Sequence, residues 1–333
     1  MNPIERLQKT FAGERTDRVP VALWRHWPGD DQRAADLARA TIDFQKAYDW
    51  DFVVIQPAAS YGIIDQGLHD EWTGSPAGER AVIKRGVTRS LEWTELRPLD
   101  PQRGSLGRQL EAMRLISDAF QNTDTPLIQT IYSPLSQAVL LSGDELFRRH
   151  LRTHPDRIQT ALNVLTETTL RLIDSLRRLP LHGLVYVMDQ ASYDLLSEEE
   201  YRAFGLPYDR KIMEALPERW WFRMLQLPAS APMFRLCSQL PAYALNWADQ
   251  DTEPDLTQGR AMFNGAMCGG LSAHKHLNLG TPSNVKEAAR VAINTMNGRR
   301  LILSTGTPIL TTTPLSNIRA ARESVNQHGA ASP

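Results

Sequence analysis

The sequence predicts an α/β protein folded as a (β/α)8 TIM barrel with a small antiparallel insert after the second strand. Eight short apolar runs, bounded by polar or Gly/Pro residues, alternate with longer segments of helical periodicity. The alternation extends through nearly all of the 333 residues without an internal repeat, a low-complexity tract or a dividing linker. Eight strands separated by helices point to a closed barrel, and barrels of this length form one domain, here 1–333. A single stretch, 71–100, departs from the alternation and supplies the insert.

The strands are expected at 19–24, 52–56, 127–132, 183–188, 221–226, 243–246, 262–265 and 301–304. Between them, 31–48 carries Leu37, Ile42, Phe44 and Tyr48 among polar residues, with Asp30 or Asp31 as its N-cap. Segment 155–176 repeats Ile158, Leu162, Leu165, Leu170 and Ile173 at helical spacing, and Pro155 suits a first turn, where its missing N–H costs nothing. Ser197-Glu198-Glu199-Glu200 is a capping-box pattern opening a helix to 204. Segment 282–296 starts behind Thr281 and stops at Asn297-Gly298. In the insert, 81–84 and 90–93 read as strands of an antiparallel meander, with Gly74, Gly78 and Gly86 as turns. The polar tail 326–333 is expected to fray.

Composition narrows the partners. Lys and Arg number 37 against 38 Asp and Glu, a net charge of -1, which argues against nucleic acid and anionic membranes. No run approaches the roughly 18 apolar residues of a membrane span. The N-terminus lacks the pattern of a targeting segment, and the two cysteines, Cys237 and Cys268, make no disulfide framework. A cytoplasmic protein acting on a small molecule is expected.

Strand C-terminal ends carry the chemistry of such barrels. The richest cluster follows the first strand: Trp24, Arg25, His26 and Trp27, then Asp30. Two tryptophans flanking a cation and an imidazole suit a flat or anionic ligand. In the alternative reading Arg25 pairs with Asp30 or Asp31 and the tryptophans simply pack. Gln56 and Tyr132 end the second and third strands; Asp189 and Gln190, with Tyr193 close behind, follow the fourth. Gln226, Asn246 and Thr305 sit at later strand ends and Thr307 just beyond the last, suggesting a neutral, hydrogen-bonding pocket. Asp249 reads as a structural loop residue, and His274 and His276 as a solvent-facing pair without a third ligand.

An ordered series of short motifs carries a resemblance. It begins with Arg18-Val19-Pro20-Val21-Ala22-Leu23-Trp24-Arg25 and continues through Met188-Asp189-Gln190 and Leu206-Pro207-Tyr208. Asn246-Trp247, Asp249-Gln250-Asp251, Gly269-Gly270-Leu271, Gly280-Thr281-Pro282 and Arg319-Ala320-Ala321-Arg322-Glu323 complete it. Together these resemble the uroporphyrinogen decarboxylase superfamily, whose fold is a (β/α)8 barrel.

The resemblance implies one of two chemistries. The first is cofactor-free decarboxylation of acetate side chains on a tetrapyrrole, with arginines clamping carboxylates and an acidic residue at the pyrrole nitrogens. Arg25 matches the first family arginine, but Gly29 replaces the second, Ile55-Gln56-Pro57-Ala58 lacks the family aspartate, Val139 falls near the family tyrosine, and Thr305 replaces a histidine. Arg25, His26 and Asp189 are then the expected catalytic residues, and Trp24, Trp27, Asp30, Gln56, Tyr132, Gln190, Tyr193, Gln226, Asn246, Thr305 and Thr307 the substrate-binding ones.

The second is methyl transfer from a corrinoid carried by a partner protein to a thiol held on zinc. The three ligand positions are Gln226, Pro228 and Thr307, none a useful zinc ligand, so no metal is expected and the alternative becomes zinc-independent methyl transfer or demethylation. A non-catalytic ligand-binding barrel is the third reading. The resemblance also implies a homodimer.

Overall fold

The computed structural model describes residues 1–326, so 327–333 of the tail expected to fray lie outside the described residues. Seven parallel strands form one curled sheet in the order β1 (Val53–Ile55), β4 (Leu127–Tyr132), β5 (Gly183–Val187), β6 (Phe222–Leu227), β7 (Ala244–Trp247), β8 (Ala266–Leu271) and β9 (Leu301–Thr305). β2 (His69–Glu71) and β3 (Ala81–Lys84) pair antiparallel in a separate small sheet between β1 and β4. The large sheet is buried along nearly every strand, which is why these segments read as continuous apolar runs.

Three expectations are corrected. The first concerns 19–24, which contributes a bridge between Val21 and Leu303 instead of a full strand. Pro20 has no N–H to donate, and the Val21 N–H goes to the Asp51 carboxylate at 2.7 Å. What remains is a sparse pairing on both sides: Ala22 N–H to the Leu303 carbonyl, Leu303 N–H to Pro20, and Asp51 N–H to Val21. The second concerns 262–265. Met262 ends the helix Leu256–Met262 and the strand begins at Ala266, four residues later. The third is Ser90–Thr94, a 3-10 turn rather than a strand of the insert.

The helices follow the sequence more closely. Pro155–Leu176 has the expected bounds. Ser197 caps Glu198–Phe204 in a reciprocal capping box with Glu200, and Thr281 caps Pro282–Thr295 in the same way with Asn284. Ala34–Tyr48 instead starts behind Arg33 without a side-chain cap. Asp30 and Asp31 are drawn off by arginines, Asp30 to Arg39 at 3.0 Å and Asp31 to Arg80 at 3.4 Å. No helix among the described residues is long and apolar enough to cross a membrane.

Asp51 ties the N-terminal segment to the sheet. Its carboxylate, 1% exposed, receives Arg6 at 2.5 Å and Arg18 at 2.6 Å besides the Val21 N–H. Charges this deeply buried stabilise only as a complete set. Asp51→Asn strands two guanidiniums and should cost about 3 kcal/mol. The check is a lower urea midpoint with an unchanged slope.

Candidate functional site

A cavity of about 560 Å³ opens at the C-terminal ends of the strands, beneath the inserted two-stranded sheet. Gln56 lies one residue past β1, Tyr132 and Val187 close β4 and β5, Gln226 is the penultimate residue of β6, and Thr307 follows β9. This volume suits a small organic ligand.

The floor is a set of oriented amides. Gln56 donates to the Tyr132 hydroxyl at 2.9 Å and accepts from Thr130 at 3.1 Å. Asn246 donates both N–H groups, to the Cys268 and Thr305 carbonyls, each at 2.8 Å. Its side-chain oxygen must therefore accept, and it accepts from Gln226 Nε2 at 2.7 Å. That orientation leaves Gln226 Oε1 turned to the cavity without a hydrogen-bond partner. Gln190, 8% exposed, also lines the cavity with its side-chain amide unpaired.

The insert forms the roof. Arg80 donates to Asp70 at 2.8 Å, within the insert, and to the Pro28 carbonyl at 3.2 Å, outside it. The Thr311 N–H and hydroxyl both reach the Pro76 carbonyl, at 2.7 and 2.9 Å. The roof descends onto His26 at Gly78, whose φ is +78°; a Cβ there would meet His26 Cβ at 2.7 Å. Glycine is required on both counts.

Three titratable groups line the cavity with altered proton affinity, and burial pushes the Tyr132 hydroxyl well above its ordinary range. His26 is pulled down to about 4 by burial, with the Pro57 carbonyl opposing, so its imidazole is neutral at ordinary pH. Asp189 is pushed up to about 7, first by desolvation and then by the charge of Glu79 above it. Its carboxylate makes no hydrogen bond or ion pair among the described residues, although its backbone N–H is held by Ser136 Oγ at 3.0 Å.

His26, Gln56, Tyr132, Asp189, Gln190, Gln226 and Thr307 come together on the cavity wall. Other expected site residues do not. Arg25 lies outside it, over the Trp27 ring at 5.1 Å, donating to the His26 and Thr311 carbonyls. Neither Asp30 nor Asp31 pairs with Arg25. Trp24 is buried in the core, Trp27 packs edge-on against Phe44, and Asp30 is at the surface with Arg39. Tyr193 is 52% exposed and bonds Glu198. Asn246 and Thr305 are fully buried below the wall, where Asn246 orients Gln226. Asp249 accepts the Gly270 N–H at 2.9 Å, and His276 accepts from the Ser272 N–H at 3.0 Å. Sequence reasoning missed the roof, above all Asp70, Glu79, Arg80 and Arg85. The Gly78-Glu79-Arg80 triplet, charges beside a turn glycine, is the signal that could have marked it.

A profile of the family described as uroporphyrinogen decarboxylase (URO-D) matches residues 2–328. Among curated proteins, the chain is 24% identical over 336 residues to the methylcobamide:CoM methyltransferase MtbA of Methanosarcina acetivorans, covering 95% of each chain. It is 23% identical, over the same shares, to the protein of that name from Methanosarcina mazei. Among solved structures, a methyltransferase from Methanosarcina mazei has a TM-score of 0.87 over 99% of this chain and 100% of its own, at 18% identity. A B12-independent methionine synthase from Shewanella has a TM-score of 0.60 over 94% of this chain and 97% of its own, at 10% identity.

The raised affinity of Asp189 has a stability consequence. The folded protein binds this proton more tightly than the unfolded chain, so stability is lost as pH rises from the ordinary aspartate range through about 7. Asp189→Asn removes that loss. Above this window the variant should gain on the order of 1 kcal/mol over wild type, less than full linkage allows because the carboxyl meets cavity solvent. Melting curves at a series of pH values measure the difference; a gain equal at all pH values would contradict the assignment.

Proposed function

The chain belongs to the uroporphyrinogen decarboxylase family, and we propose that it works within that family as a corrinoid-linked methyltransferase or demethylase without a zinc-held thiolate. The observation that carries this reading is the chemistry of the three positions where a resident zinc would be held. Gln226 donates its amide to Asn246, Pro228 has no donor atom in its side chain, and Thr307 offers a neutral hydroxyl. Such a set does not fit zinc. Cys268 is no replacement: it is buried in β8 and burial pushes its thiol up to about 12.

Two further observations favour methyl transfer over decarboxylation of a polycarboxylate. The curated relatives named above, matched over 95% of the chain, are methyltransferases. Clamping several carboxylates needs free guanidiniums, yet Arg25 lies off the cavity and Arg80 is engaged by Asp70 and Asp31. Arg85 is the one remaining arginine on the wall among the described residues, and it donates to the Leu140 carbonyl at 2.9 Å.

In this reading 19–24 completes an eight-membered barrel, and the cavity at its mouth holds the small molecule. Gln190 and Gln226 orient it by neutral hydrogen bonds. The roof covers part of the cavity mouth, so polar contacts inside it are less screened than at an open surface. A corrinoid carried by a partner protein would supply or accept the methyl group when bound there. Asp189, poised near 7, holds the proton that a demethylated heteroatom takes up, or accepts the one an incoming acceptor gives off. The setting is the cytoplasm.

Anaerobic incubation with free cobalamin in its reduced and methylated forms, alongside uroporphyrinogen, tests the proposal. Methyl transfer, read from the corrinoid visible spectrum, is expected, with no coproporphyrinogen by chromatography. Asp189→Ala should lower kcat on the order of 100-fold, the usual worth of a proton-transfer group, while Arg25→Ala should leave it within about twofold because the residue lies off the cavity. Coproporphyrinogen without corrinoid methylation or demethylation would overturn it.

A further inference from the structure

Resting on the methyl-transfer reading, we propose that the cavity takes a small organic cation, a methylated ammonium or sulfonium compound, seated against Asp189 and Glu79. Four carboxylates line it, from Asp70, Glu79, Asp144 and Asp189, against the guanidiniums of Arg80 and Arg85. Asp70 is matched by Arg80 at 2.8 Å, and Asp144 lies 3.7 Å from Arg148. Glu79 and Asp189 make no hydrogen bond or ion pair among the described residues, and the charge of Glu79 acts on Asp189 directly. Against these two anions the cavity holds, among the described residues, one guanidinium without a carboxylate partner, that of Arg85, tied to the Leu140 carbonyl, so it remains one positive charge short, which a cationic ligand supplies.

Independent features point to a ligand in the same place. The Gln190 amide, 8% exposed, has no partner, and Gln226, 2% exposed, turns an unpaired oxygen into the cavity. An amide oxygen accepts from an ammonium N–H or faces the polarised methyls of a quaternary one. Tyr132, 8% exposed, adds an aromatic ring, and the neutral His26 adds no competing charge. An anionic substrate would meet only like charge at Asp189 and Glu79.

The group-transfer step balances without a further reagent beyond the corrinoid. In an ammonium donor the N–CH3 bond breaks and its electron pair stays on nitrogen. The methyl would pass, without its bonding pair, to the nucleophilic, reduced corrinoid of a partner protein, which leaves the amine with its lone pair.

Titration calorimetry on the full chain, without corrinoid, tests the proposal with mono- to tetramethylammonium, trimethylsulfonium and choline, each against an uncharged isostere with carbon at the charged atom. At a pH well above the Asp189 midpoint, at least one cation should bind ten or more times tighter than its isostere. Glu79→Gln, a change at an exposed residue that the fold tolerates, should narrow that preference severalfold, and Asp189→Asn should abolish it. Isosteres binding as tightly as the cations, or no cation binding, would overturn it. Cation binding without methyl transfer to cobalamin upholds the cation site and removes the methyl-transfer reading. Demethylation of a neutral methyl ether with no cation bound does the reverse.

Discussion

Arg80 stands among partners from separate parts of the chain: Asp70 within the insert, and Asp31 and the Pro28 carbonyl in the loop after the first sheet-bridging segment. Its guanidinium is largely buried, so these contacts are worth more than a surface pair. Through them the insert is held over the strand ends as a roof that partly covers the cavity. The same engagement withdraws Arg80 from substrate. The constraint that shapes the cavity thus also bears on its charge, leaving Glu79 and Asp189 without an ion-pair partner among the described residues.

At the opposite end of the strands a second buried cluster does related work. Asp51 gathers Arg6, Arg18 and the Val21 N–H, fixing a segment that Pro20 prevents from pairing as an ordinary strand. That segment carries His26 to the cavity and Arg25 away from it. Neighbouring residues point to opposite sides, so the neutral imidazole, not the cation, reaches the site.

Much of the fold was legible because buried parallel strands leave a plain signature. β4 was expected with its observed bounds, and the capping box at Ser197 and the helix start behind Thr281 are local chemistry that sequence records directly. β8 was misread for a physical reason. Its Cys268-Gly269-Gly270 core has little strand propensity, yet a Cβ at Gly269 would come 2.1 Å from Asp249, and one at Gly270 2.6 Å from Ala292. Close approach by a loop and a helix demands glycine there, and a reader of sequence sees a turn. Strand-end position placed Gln56, Tyr132, Asp189, Gln190 and Gln226 on the cavity wall, because a curled parallel sheet gathers its strand C-terminal ends on one face. It failed at Arg25, where side-chain direction matters, and at Glu79 and Arg80, whose place depends on how the insert folds back.

The chain belongs to the uroporphyrinogen decarboxylase family, and its cavity offers, among the described residues, neither a set of free guanidiniums nor a thiolate. Gln226 is tied to Asn246, and Asp189 is the cavity carboxyl whose proton affinity burial raises to about 7. The central claim is methyl transfer that does not run through zinc. Steady-state methyl exchange with cobalamin, measured before and after exhaustive chelation of the protein, tests it most directly. The account predicts the same rate in both. A rate abolished by chelation and restored by added zinc would contradict it.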